Sequence, residues 1–158
     1  MPHAGYLYSG ATAALAYSLL TPWRSRITRV LLLGPNHRVP LRGLAVPSWN
    51  EFASPLGTIP VDQRALAQLQ DLPQVLSSDE PHLREHALEV QLPFLQCVLD
   101  PFQLVPLLVG QADAEAVAGF EQPSRTHHAI PMHRVRRIDI GRGRDMDDAI
   151  GLLESRLH

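Results

Sequence analysis

Residues 27–37, Ile-Thr-Arg-Val-Leu-Leu-Leu-Gly-Pro-Asn-His, are a β-branched and aliphatic run that stops at a Gly-Pro turn carrying a polar pair. A continuous apolar run bounded by turn signals suits a strand buried on both faces, as in a parallel sheet, better than one strand of a half-exposed hairpin. In open α/β sheets ligands lie beyond the carboxyl ends of the strands, which places Asn36 and His37 at a crevice and not in the core. Taken alone, His37 reads more simply as a solvated turn histidine. The rest of the chain decides between the two.

With 158 residues, 45% of them hydrophobic, the chain suffices for one domain and is short for two. No apolar stretch approaches the roughly 18 residues of a membrane span, and the opening lacks the pattern of a signal peptide. One cysteine, Cys97, excludes an internal disulfide framework and suits a reducing cytoplasm. The net charge of −2 gives no reason to expect nucleic acid. All 14 basic residues are arginine, which removes Schiff-base chemistry and a P-loop lysine. Special chemistry therefore falls to the eight histidines: His3, His37, His82, His86, His127, His128, His133 and His158.

The chain opens on Pro2-His3-Ala4-Gly5 and passes into an Ala- and Leu-rich stretch, with Ser9 as the expected N-cap of a helix over residues 11–20. A βα loop normally follows a strand, so this opening resembles the inside of a larger domain. After residues 44–47, residues 52–62 read as short extended segments joined by a turn, and Asp62 as the start of a helix over residues 63–70 with Ala65, Leu66 and Leu69 on one stripe. In residues 85–99, leucines 88, 92, 95 and 99 recur at helical spacing, with His86 and Glu89 one turn apart. Pro93 should kink or restart that helix. Residues 102–110 read as a second buried strand in which Pro106 suggests an edge or a bulge, and residues 111–119 as a short Ala-rich helix. The order of elements is that of an α/β sheet, mostly parallel or mixed and flanked by helices, over residues 1–119. Residues 120–158 change character: arginines 134, 136, 137, 142 and 144 crowd together without apolar periodicity, which reads as a poorly ordered tail. Residues 145–157 suit a short amphipathic helix.

Five motifs in order, Pro2-His3-Ala4-Gly5-Tyr6, Leu33-Gly34-Pro35-Asn36-His37, Ser54-Pro55-Leu56-Gly57, the stretch Glu85-His86-Ala87-Leu88-Glu89 continuing to Pro93-Phe94, and Val105-Pro106-Leu107-Leu108-Val109-Gly110, resemble the Memo family. Its bacterial and archaeal members are often called the B protein of the AmmeMemoRadiSam system. The resemblance implies an α/β fold similar to the class III extradiol dioxygenases, which open catechol rings with a non-haem iron. It also implies a pocket whose metal-contacting histidines fall on His3 and His37 and whose third histidine falls on His86. Imidazoles with open positions suit iron(II) or copper better than magnesium or calcium.

The resemblance departs at both ends. The family begins some tens of residues earlier, with a strand before the first histidine motif, and after the Val-Gly stretch it offers a Ser-Ser-Asp strand with a histidine and, in animal members, a cysteine ligand. Nothing after Gly119 matches, and Cys97 is in the wrong place to substitute, so the chain is expected to be a truncated or frame-shifted member. Two functions follow from the resemblance. One is metal-dependent redox chemistry of the dioxygenase type, with His3 and His37 as ligands and His86 as ligand or catalytic proton-transfer group. The other is a non-catalytic binding or adaptor protein using the same pocket for a small molecule or peptide, with other AmmeMemoRadiSam components as partners.

Overall fold

The computed structural model describes residues 4–111. The histidine at position 3, the Ala-rich segment and the arginine-rich tail lie outside the described residues. Helix α1 (Tyr6–Ser18) buries Ala13, Ala14 and Tyr17, a stripe one turn deep, and meets α4 (Leu92–Val98). Strand β1 (Arg29–Pro35) follows, then β2 (Leu44–Val46), the hairpin β3 (Glu51–Ser54) and β4 (Gly57–Pro60), helix α2 (Gln63–Gln70), β5 (Val75–Ser77), α3 (Glu80–Arg84), α4, and finally β6 (Gln103–Val109). The fold is α/β. A mixed four-stranded sheet in the order β1-β6-β2-β5 is flanked by helices, and the hairpin forms a separate two-stranded sheet.

The two apolar runs pair parallel, but β1 is the edge strand of the described sheet and not a strand buried on both faces: Leu32 and Gly34 are buried, whereas Arg29 and Leu33 are exposed. β1 lies parallel to β6 over seven positions, from Arg29 opposite Gln103 to Pro35 opposite Val109. β2 pairs parallel with β5 over three positions and antiparallel with β6 at only two, Leu44 with Val109 and Ala45 with Leu108. Leu104, Leu107 and Leu108 of β6 are fully buried with Leu44, Leu92 and Leu95, which centres the core on this strand. Asp62 caps α2 by accepting the Ala65 N–H at 2.9 Å, and Ala65 and Leu66 point inward.

Three local expectations are corrected. Pro106 is in an interior strand, not at an edge. Gln103 donates to Thr28 and Val109 accepts from Asn36, so odd-numbered residues of β6 address β1, whereas Leu104, which accepts from Asp62, addresses the other side. Pro106 shares the parity of Leu104 and falls between the bridge of Leu104 to Val61 and the pairing of Leu108 with Ala45, where no ladder bond is required of it. Ser9 does not cap α1: the helix starts a turn earlier, at Tyr6 after Gly5, and the Ser9 hydroxyl donates to the Ala4 carbonyl at 2.9 Å. Tyr6 packs edge-on against Phe94 of α4, with ring centroids 5.6 Å apart, and this contact holds the extra turn. The long helix over residues 85–99 is also broken. Glu85 leaves α3 in an extended conformation, a 3-10 turn spans Glu89–Gln91, and the α-helix restarts at Leu92 with Pro93 in its first turn, where a missing N–H costs nothing.

Candidate functional site

The carboxyl end of β1 is pressed against the loop between α3 and α4. A Cβ on Gly34 would lie 2.7 Å from Leu88 Cδ2 and 3.4 Å from Ala87 Cβ, so only glycine allows this approach without a shift. Ala87 and Leu88 are buried beneath it. Beyond Pro35 the turn is pinned on both sides: the Asn36 N–H donates to the Val109 carbonyl at 2.9 Å, and its side-chain amide donates to Val39 O. Asn36 Oδ1 is buried and has no hydrogen-bond partner among the described residues.

This packing brings the next residue, His37, onto a carboxylate 48 positions away. Glu85 Oε2 accepts the His37 main-chain N–H at 2.7 Å and lies 3.0 Å from His37 Nδ1. Glu85 Oε1 accepts the main-chain N–H groups of His86 at 2.9 Å and Ala87 at 3.1 Å, and lies 3.5 Å from His86 Nδ1. The Glu85 side chain is wholly buried, whereas the His37 and His86 side chains are each about half exposed. Burial pushes the Glu85 pKa up, but the donors of His37, Ala87 and His86 outweigh it and hold the group below its ordinary value. A buried anion thus stands behind two accessible imidazoles.

Of the three histidines singled out from the sequence, His37 and His86 converge on this one carboxylate, and His3 is outside the described residues. Among the described residues no group of three or more His, Cys, Asp or Glu side chains is gathered to hold a metal ion. The residue the sequence reading missed is Glu85. Glu89, which an unbroken helix would set beside His86, is exposed. The signal available was the acid immediately before His86, legible only once the helix is known to stop there. His82 belongs elsewhere: it is buried with Nε2 3.1 Å from the Ala45 carbonyl, edge-on to Trp49 and Phe52.

Comparison with known proteins agrees with the motifs at this site. The family model described as Memo-like protein matches residues 1–122. The chain belongs to the Memo-like family. Among its relatives, a MEMO1 family protein of Saccharolobus islandicus is 43% identical over 113 residues, covering 69% of this chain and 39% of that protein. A MEMO1 family protein of Saccharolobus solfataricus is 42% identical over the same length. One from Archaeoglobus fulgidus is 32% identical over 160 residues, covering 87% of this chain and 57% of that protein. The Memo-like chain therefore spans roughly two to three fifths of the length of these relatives. No helix among its described residues is long and apolar enough to cross a membrane.

Proposed function

We propose that the crevice at the end of β1 is a histidine-lined metal pocket, in which His37 and His86, together with His3, hold iron(II) or copper for redox chemistry of the kind carried out by extradiol dioxygenases on a small molecule. The observation that carries this reading is the buried Glu85 carboxylate in contact with the Nδ1 side of both imidazoles. Metal-ligating histidines typically present one ring nitrogen to a carboxylate or carbonyl and the other to the ion, and His37, with Nδ1 3.0 Å from Glu85 Oε2, fits that pattern. The likeness of the α/β sheet to the dioxygenase fold rests on the family motifs. A bound iron or copper would supply Lewis acidity and one-electron chemistry. The protein's own part is to hold two half-exposed imidazoles against a dry anion and to move a proton through His86. The single cysteine of the chain suits a cytoplasmic setting.

Titration of the full chain with iron(II) under anaerobic conditions, and with copper, tests this. Weak but saturable binding is expected, abolished by His3→Ala or His37→Ala and reduced by His86→Ala. Binding unchanged by His37→Ala would overturn it.

A second reading, a non-catalytic binding protein that uses the same pocket for a peptide, draws on the exposed apolar residues Tyr6, Leu7 and Tyr8, which follow the first histidine motif directly. Other components of the AmmeMemoRadiSam system would then be its partners. Oxygen consumption by the metal-loaded chain with a catechol separates the two: turnover supports the first reading, and retention of a bound peptide without turnover supports the second.

A further inference from the structure

We infer that Glu85 is a positioning residue that divides the labour of the two imidazoles: it locks His37 with the proton on Nδ1 and leaves His86 able to carry its proton on either ring nitrogen. A carboxylate offers about four lone-pair positions, two on each oxygen. Oε2 takes the main-chain N–H of His37 at 2.7 Å, and Oε1 takes the main-chain N–H groups of His86 and Ala87 at 2.9 and 3.1 Å. Main-chain N–H groups only donate, so three of the four positions are filled by groups that cannot reverse. The fourth, on Oε2, is reached by His37 Nδ1 at 3.0 Å. An oxygen that is acceptor to both neighbours requires Nδ1 to be the donor, and a neutral imidazole with its proton on Nδ1 carries none on Nε2.

His86 differs in one respect. Its Nδ1 lies 3.5 Å from Oε1, an oxygen whose two positions are already taken by main-chain donors. No position remains for a hydrogen bond that would select its tautomer. Two histidines at one carboxylate therefore receive different roles. His37 presents a fixed basic nitrogen, as a ligand must, and His86 keeps the exchangeable proton of a transfer group. The naming of His37 Nε2 as ligand atom rests on the metal reading above, whereas the tautomers themselves do not.

The experiment is long-range proton–nitrogen correlation of the imidazole rings in the full, metal-free chain labelled with 15N histidine, at a pH where the rings are neutral, with assignments from His37→Gln and His86→Gln. The expected spectrum has His37 protonated at Nδ1 alone and His86 as averaged tautomers. Glu85→Gln, if its amide spectrum remains dispersed, should shift His37 to an averaged or Nε2-protonated pattern, and Glu85→Asp should restore the locked pattern at least in part. His37 protonated at Nε2 in the unaltered chain overturns the inference even if Glu85→Gln does not fold. So does a folded Glu85→Gln chain with His37 unchanged, or a His86 locked in one form. A locked His37 in a chain that takes up neither iron(II) nor copper leaves the positioning role standing and overturns the metal reading. Metal uptake by a chain whose His37 is protonated at Nε2 does the reverse.

Discussion

The main-chain N–H of His37 donates to Glu85 Oε2 at 2.7 Å across 48 residues of sequence, so the turn that ends β1 is held by a carboxylate from the α3–α4 loop. Glu85 supports structure, since it is the acceptor for three main-chain donors.

Glu85→Ala should therefore destabilise the chain by on the order of 3 kcal/mol, because buried N–H groups lose their acceptor. His37→Ala, which removes a half-exposed ring, should cost less than about 1 kcal/mol. Urea melts of the two variants check the order. The Glu85 pKa is held below its ordinary value, so its contribution is present above that value and lost as the pH falls through the folded one. A Glu85→Gln chain should lack this acid-side loss.

A different group sets the window at milder acidity. Burial lowers the His82 pKa below 6.5, opposed by the Ala45 hydrogen bond and the charge of Asp79. The unfolded chain then binds a proton more readily than the folded one, so stability is complete above about 6.5 and falls as the pH drops toward the folded value. His82→Leu should flatten the stability profile just below 6.5, although it forfeits the bond to Ala45. An unaltered slope in thermal melts between pH 7 and 5 would count against this.

Gly34→Ala tests the approach of β1 to the site loop. The new Cβ meets the end of the Leu88 side chain at 2.7 Å, so Leu88 must move, at a cost of roughly 1–3 kcal/mol. The displacement should also loosen the His37–Glu85 contact, visible as faster exchange of the His37 amide. Lost stability with His37 exchange unchanged would separate packing from the site.

The interface of α1 with α4 carries a graded test. The Tyr17 hydroxyl donates to Gln91 Oε1 at 2.8 Å, and its ring stacks on Phe94 with centroids 5.7 Å apart. Tyr17→Phe removes one buried hydrogen bond, worth about 1 kcal/mol, and Tyr17→Ala removes the ring, worth about 3–5 kcal/mol. Leu104→Ala in β6 should cost about 2–5 kcal/mol. Tyr17→Phe should lower the denaturant midpoint less than either alanine variant does.

What could be read from the residues depended on how local its cause was. The apolar runs of β1 and β6, the Asp62 cap and the restart at Pro93 are decided within a few residues, and each appears where the pattern puts it. Ser9 was misjudged as a cap because the turn before it is held by Phe94, a contact local rules do not contain. The leucine spacing around residue 88 is satisfied without a helix, since Leu88 lies under Gly34 while the chain at Glu85 is extended. That same break turns Glu85, and not Glu89, toward the imidazoles, so the acid at the candidate site depended on a boundary that periodicity placed wrongly.

The two-position join between β2 and β6 makes the sheet two leaves with a short seam. The larger leaf holds seven rungs between β1 and β6, the smaller holds three between β2 and β5, and the Pro106 gap lies beside the seam on the β6 side. The seam is continued by main-chain bonds of Gly43 with Gly110 and Gln111 and of Leu41 with Gln111, and if it is the weaker join, amides of β2 and β5 should exchange faster than those of β1 and β6. The turn that bears His37 hangs from the long ladder, whereas Glu85 follows β5 and α3, whose His82 bonds Ala45 of β2, so the His37–Glu85 contact spans the two leaves and should part when the small leaf opens.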